Sequence, residues 1–323
     1  MTSIAPSTNL EKPRLLRPAE LGRARSRVGR NAVEYTIRGS LVGCAAFSIF
    51  TTAAIIVVLG WETFTFFKLP DVTVTDFLFG LKWAPLLGEE KHFGIWPLIS
   101  GTVMITLLAM LFAIPLGLVT AIFLSEYAPR PLRAALKPVL EVLAGVPTVV
   151  YGFFALFVIT PALQGMYSGF GTYNVLSAGI AVGIMCLPIV CSISEDALQA
   201  VPRSLREGAY GLGGTKFDVS LKVVVPGAIS GIVAASLLAI ARAVGETMIV
   251  TLAAGNMAQI TWKVTEQSQT MTAYMVQIFL GDVSNFGAEY YSSYAVAATL
   301  FLMTFIITLI GHWIRVRFRE AYE

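Results

Sequence analysis

Apolar runs long enough to cross a bilayer recur along this chain, and they limit what it can fold into. A hydrocarbon layer about 30 Å thick takes about 20 residues of helix. Within it every backbone N–H and C=O must be satisfied by the protein itself. Runs of this kind cover residues 37–61, 97–124, 136–160, 175–194, 228–255 and 294–314. They predict an all-α, polytopic membrane protein with six transmembrane helices. Charged residues are only 13% of the chain, against about 25% in an ordinary soluble domain, and the mean hydropathy is +0.72. By length the 323 residues could make two soluble domains. The composition favours a single transmembrane domain, 34–323, behind an arm, 1–33, that carries few large apolar residues and reads as disordered. The arm is too highly charged, and the run after it too long, for a cleaved signal peptide.

Several spans hold Pro115, Gly117, Gly145, Pro147 or Pro188. Membrane helices tolerate these because neighbours re-satisfy the freed backbone groups, and small residues let helices approach closely. Cys44, Cys186 and Cys191 all lie in apolar surroundings and read as packing thiols. Of the 23 basic residues, 18 fall in the arm, the C-terminus and the loops after the second and fourth runs. By the positive-inside rule both termini and the 207–226 segment face the cytoplasm. The net charge of +3 reflects that asymmetry and gives no sign of nucleic-acid binding, although the arm could touch anionic membrane lipid. The long segments 62–95 and 256–290, on the other side, mix aromatic with acidic residues. They suit an interfacial lid, a docking surface for a solute-delivering partner, or both.

Catalysis finds no support. With two histidines, His92 and His312, there is no H-E-x-x-H and no catalytic or metal site is expected. There is also no P-loop, so any ATP hydrolysis belongs to a partner and this chain needs no cofactor of its own. Charges inside the fifth run stand out instead. Arg242 and Glu246, in Arg-Ala-Val-Gly-Glu-Thr, are four apart and predicted to share one helix face, with Thr247 beside them. Charge at membrane depth is expensive and marks a path or a partner. The pair reads either as a bracing ion pair or as an anion site, since a guanidinium fork matches the oxygens of a tetrahedral oxyanion. Glu141 is closer to the interface and either snorkels or pairs with Lys137.

The segment 207–226, EGAYGLGGTKFDVSLKVVVP, is polar between apolar runs. Glu207, Gly208, Ala209, Gly213, Val223, Val225 and Pro226 resemble the coupling loop of ABC importer permeases, with Gly208 in place of the first Ala of its EAA, Val223 in place of Ile and Val225 in place of Leu. The phrases FGIWPLISGT, LSEYAPRPLRAALKPVLEVLAGVPTVVYGFF, SEDALQAVPRSLREGAYGLGGTKFDV and ARAVGETM are similar to the PstC family of phosphate-importer permeases over about residues 35–318. The resemblance implies a type I ABC importer permease fold in a bacterial plasma membrane, with a coupling loop over 195–227. It implies a heterodimer with the sister permease PstA, an ATPase PstB dimer that binds ATP and Mg, and a phosphate-binding protein PstS. Arg242, Glu246 and Thr247 would then lie on the phosphate path, and Glu207, Gly208, Ala209, Gly213 and Pro226 would engage the ATPase. PstA itself, or a permease for sulfate or molybdate, is the alternative within the class. A channel or secondary transporter, a membrane enzyme and a non-transporting scaffold are the alternatives outside it.

Overall fold

The structure, a computed structural model, describes residues 27–70, 72–85, 91–281 and 287–317, with side chains described between 34 and 314. Most of the arm, the acidic stretch around Glu89 and the extreme C-terminus lie outside these residues. The chain divides into two units at Val57/Val58. The first contains most of helix α1 (Arg27–Phe67), whose side chains are mainly exposed and apolar, as lipid contact requires.

In the second unit α2 (Val74–Phe79) and a two-stranded antiparallel ribbon, β1 (Trp83–Ala84) and β2 (His92–Phe93), cover one end of a helical bundle. Helix α3 (Trp96–Ile122) runs away from the ribbon and finishes in a π turn, Phe123–Tyr127. Then come α4 (Arg130–Ala144), α5 (Thr148–Phe154) joined through a π turn to α6 (Thr160–Met166), and α7 (Val175–Ala200). At the end opposite the ribbon lie α8 (Arg203–Gly211), α9 (Lys216–Val219), a π turn (Ser220–Val224) and α10 (Val225–Gly227). The chain returns through α11 (Ile229–Val244), α12 (Met248–Ala253), α13 (Met271–Leu280) and α14 (Ala288–Arg317).

Five helical segments are long and apolar enough to cross a membrane: Glu34–Phe67, Trp96–Tyr127, Thr148–Met166, Val175–Ala200 and Ala288–Ile314. A sixth span results if Lys216–Gly227 and Ile229–Val244, bent by 69°, are taken together. This agrees with six predicted spans, with two corrections. The third expected span, 136–160, is two helices. The apolar run continues through Gly145, but Pro147 has no N–H and pushes Val146 out of the helical region, so α4 stops at Ala144. Its residues Arg130, Arg133, Lys137 and Glu141, spaced three to four apart, form a charged stripe, whereas Leu136 and Leu140 pack on the bundle. The membrane-crossing helix therefore starts only at Thr148. The fifth expected span, 228–255, is interrupted at Gly245–Thr247.

The bundle is built on α3 against α7. Gly179, Gly183 and Gly117 set their separation. A Cβ at Gly179 would stand 2.7 Å from Leu108 Cβ, and one at Gly117 2.8 Å from Val190 Cβ. Small residues at such crossings let backbones gain dispersion contacts, which must replace the hydrophobic drive that lipid does not supply. Around this pair lies a core that includes Ile105, Tyr151, Val182, Cys186 and Ile249. An aromatic cluster including Phe66, Phe77, Trp83, Phe93 and Tyr274 closes the ribbon end, and Leu124, Cys191, Leu198 and Val219 are among those closing the other. Cys186 and Cys191 are buried, free thiols, as expected of packing residues, while Cys44 is free and exposed.

Gly179→Val should force α3 and α7 apart at a cost of about 1–3 kcal/mol and lower the melting midpoint in detergent. Gly43→Val, where an added Cβ meets nothing within 4 Å, should leave the midpoint unchanged. Equal midpoints for the two variants would contradict the close-packing role.

Candidate translocation and coupling site

Helix α11 ends because Gly245 takes its C-cap position, with its N–H on Ala241 O at 3.3 Å, and the Glu246 N–H closes on Ala243 O at 3.2 Å. A new helix must then start at membrane depth with unsatisfied N–H groups. The Glu246 carboxylate supplies the acceptor: its Oε1 takes the N–H of Met248 at 3.1 Å and of Ile249 at 3.2 Å. Its backbone carbonyl accepts the Thr272 hydroxyl of α13 at 2.6 Å. Thr247 begins α12, its hydroxyl 3.3 Å from Gly245 O, and its own carbonyl accepts the Thr251 hydroxyl at 2.7 Å.

This geometry corrects one expectation. Arg242 and Glu246 are not neighbours on one continuous helix face, and among the described residues no ion pair joins them. Glu246 is buried, at 6% exposure, and committed to α12, while the Arg242 side chain is exposed. Both still line one cavity of about 680 Å³ between α4, α7 and α11, with Glu141, Pro188 and Ser192 on its other walls. The structure thus brings Arg242 and Glu246 to one place, with the guanidinium unpaired among the described residues. Thr247 adjoins them at the break and is not among the residues lining that cavity.

At the end opposite the ribbon, α8 carries Glu207 and Gly208 exposed and Ala209 packed into the core cluster there. It terminates through two hydrogen bonds, Gly213 N–H to Tyr210 O at 2.9 Å and Gly214 N–H to Ala209 O at 3.1 Å. This Schellman arrangement needs a left-handed residue after the C-cap, and Gly213 has φ +86°. Thr215 caps the next turn, its hydroxyl accepting the Asp218 N–H at 3.2 Å. Pro226 follows the π turn at Ser220–Val224, exposed, just before the 69° bend. Four apolar side chains stand out from this hairpin: Leu205, Tyr210, Leu212 at 92% exposure and Phe217 at 64%.

Residues without a motif of their own tie the hairpin to the bundle. Arg206 donates to Glu126 Oε1, in the turn ending α3, at 3.1 Å, and to Leu198 O near the end of α7 at 2.6 Å. Lys216 lies over the Tyr127 ring, 4.8 Å from its centroid. Glu195, 2% exposed, accepts from Arg133, from Lys137 at 3.0 Å and from Gln199. Lys137 also reaches Asp196 at 2.8 Å, so its partners are on α7 and it is not paired with Glu141. Its hydrogen bonds to Asp196 and Glu195 raise the Lys137 pKa above its ordinary value. The sequence offered one partial sign of this network, the Arg133–Lys137 spacing on α4. It gave no indication that the acceptors lie some sixty residues further on.

A second cavity, of about 790 Å³, opens at the ribbon end between β1, α12, α13 and the 255–269 loop. Helix α12 connects the two cavities. Gly245 and Glu246, just before it, line the first, and its Thr251 and Leu252 line the second.

Residues 113–320 match the family of binding-protein-dependent transport system inner membrane components. The chain is 35% identical to the phosphate transport system permease protein PstC of Mesorhizobium japonicum, covering 89% of this chain and 94% of that one. It is 33% identical to a probable ABC transporter permease, YqgH, of Bacillus subtilis over 90% of this chain and 94% of that one. A bacterial alginate ABC transporter structure superposes with a TM-score of 0.65 at 13% identity, covering 90% and 98% of the respective chains. The inward-facing MetNI methionine transporter gives 0.55 at 17% identity, covering 70% of this chain and 98% of that one. The type I importer permease fold is therefore present, and the chain spans a membrane several times. The interrupted fifth span, the capped α8–α9 hairpin and these likenesses lead to one conclusion: the chain belongs to the family of binding-protein-dependent transport system inner membrane components, the permease subunits of ABC importers.

Proposed function

We propose that the chain forms one half of the translocation path of an ATP-driven phosphate importer. The observation that carries this reading is the Arg242 guanidinium, exposed in the cavity at the interrupted span while the nearest carboxylate on its own strand of chain, Glu246, is held by two backbone N–H groups. A planar fork with free donors suits bidentate contact to a tetrahedral oxyanion. Glu246 balances the site's charge without occupying the fork, and Glu141 on the facing wall of α4 keeps the anion from being held too tightly. The PstC likeness supports phosphate as that anion. The sister permease PstA would supply the other half of the path, and PstS would deliver phosphate at the ribbon end.

By the positive-inside rule, both termini and the α8–α9 hairpin would face the cytoplasm of a bacterial cell. There Leu205, Tyr210, Leu212 and Phe217 would enter a groove on the PstB ATPase dimer, which binds ATP and Mg. The rigid Schellman turn at Gly213 would pass closure of that dimer into α8. Arg206 would pass it on to the ends of α3 and α7. In this reading the chain transports and its partner performs the hydrolysis.

In proteoliposomes holding the whole complex, Arg242→Gln should abolish ATP-driven phosphate uptake while the complex still assembles. Arg242→Lys should keep a fraction of it, since charge stays and the fork is lost. Wild-type uptake by Arg242→Gln would overturn the assignment. Leu212→Asp puts a charge at an exposed tip. It should leave the permease folded but reduce copurification of the ATPase by tenfold or more. Unchanged recovery of the ATPase would remove the hairpin from the coupling role.

A further inference from the structure

We propose that the cavity at the ribbon end is a second, charge-neutral station for the oxyanion, which it occupies before reaching Arg242. This rests on the phosphate reading given above. The cavity is lined by the carboxamides of Asn256, Gln267, Gln269 and Gln277, the indole of Trp83 and the hydroxyl-bearing Thr251. Among the described residues that line it, none is Asp, Glu, Lys, Arg or His. The inner cavity has the opposite character, with Arg242, Glu141 and Glu246 all on its walls.

The hydrogen bonds within the outer cavity leave donors to spare. Gln269, 2% exposed, donates its Nε2 to Gln277 Oε1 at 2.6 Å. That bond fixes the Gln277 carboxamide through its oxygen and leaves its own NH₂ unused. Gln267 Nε2 meets only the Met257 sulfur, at 3.5 Å, which is a weak acceptor. The Trp83 indole, 5% exposed, is held edge-on to Tyr274 with centroids 4.9 Å apart, and its buried Nε1–H has no acceptor among the described residues. A buried donor without a partner is uncommon in a folded protein. Here one lies beside a cavity whose other walls also present N–H groups.

Phosphate brings mainly acceptors to such a site, with P–OH donors that carboxamide oxygens can accept, and neutral dipoles bind it without a fixed charge that would trap it. Passage needs binding favourable enough for entry and weak enough for release. Carboxamides meet both demands and accept monoanionic and dianionic phosphate alike. Helix α12 then separates the two stations. Ile249 and Leu252 press on Gly152 of α5, where an added Cβ would stand 2.8 Å from Leu252 Cδ1.

Gln277→Glu and Asn256→Asp test the proposal, because each exchanges an NH₂ for a carboxylate oxygen at almost constant shape. Gln277→Glu keeps the oxygen that accepts from Gln269. Asn256 is exposed, so its variant puts little packing at risk. The assay is uptake of radioactive phosphate from saturating loaded binding protein by proteoliposomes of the assembled complex containing ATP. Each variant should take up phosphate at least tenfold more slowly than wild type at pH 7.5. The deficit, measured against wild type at each pH, should shrink as the medium approaches the carboxylate range near about pH 4.3. Wild-type rates in both variants, or a deficit that ignores pH, would overturn this inference and leave the Arg242 reading standing. Failure of the wild-type complex to take up phosphate would overturn both.

Discussion

The organisation of the site depends on one demand: a helix interrupted at membrane depth must still satisfy its backbone. Among the described residues, the interruption after Val244 meets that demand with a single carboxylate. Glu246 accepts the first free N–H groups of α12, and Thr272 of α13 donates to the Glu246 carbonyl. Because Glu246 is occupied in this way it does not bond Arg242, and the guanidinium remains exposed in the inner cavity. The interruption also lets α12 run as a separate short element from one cavity to the other. A continuous helix over the same residues would have set the two side chains one turn apart on one face, where they could pair with each other.

A second constraint acts at the opposite end. The α8–α9 hairpin protrudes, so any force on it must reach the spans through a few contacts. Arg206 grips the ends of α3 and α7 together, while Glu195 binds α4 to α7 through Arg133 and Lys137. Glu195 is itself buried, so leaving it without its donors would cost more than breaking an exposed pair. Helix α4 forms one wall of the inner cavity and is fastened by the Glu195 cluster within a turn of Ser192, on the facing wall. The α4 and α7 walls of that cavity are thereby fastened to each other.

Much of this was legible in the sequence. Apolar length gave the spans, and the likeness of Glu207–Pro226 to an importer coupling loop located the hairpin, in which the structure shows a left-handed turn at Gly213. Arg242 and Glu246 stood out because charge is rare at membrane depth. The legible part failed where local pattern and tertiary demand conflict. The run 136–160 is apolar enough to look like one span, yet Pro147 divides it and the charged stripe of α4 turns to α7. The four-residue spacing of Arg242 and Glu246 predicted a shared helix face, but Gly245 ends the helix between them and the carboxylate caps α12 instead. Glu195 and the carboxamides around the outer cavity belong to no motif. Their roles come from contacts between distant segments, which spacing along the chain does not encode.

The central claim is that the cavity beside the interrupted span holds the anion. Ser192 lines that cavity across from Arg242, so a thiol introduced there, in a chain with its native cysteines replaced, reports directly on occupancy. The rate of its modification by a water-soluble thiol reagent should fall when phosphate is imported by the energised complex, and sulfate should not slow it. A modification rate indifferent to phosphate under turnover would contradict the account.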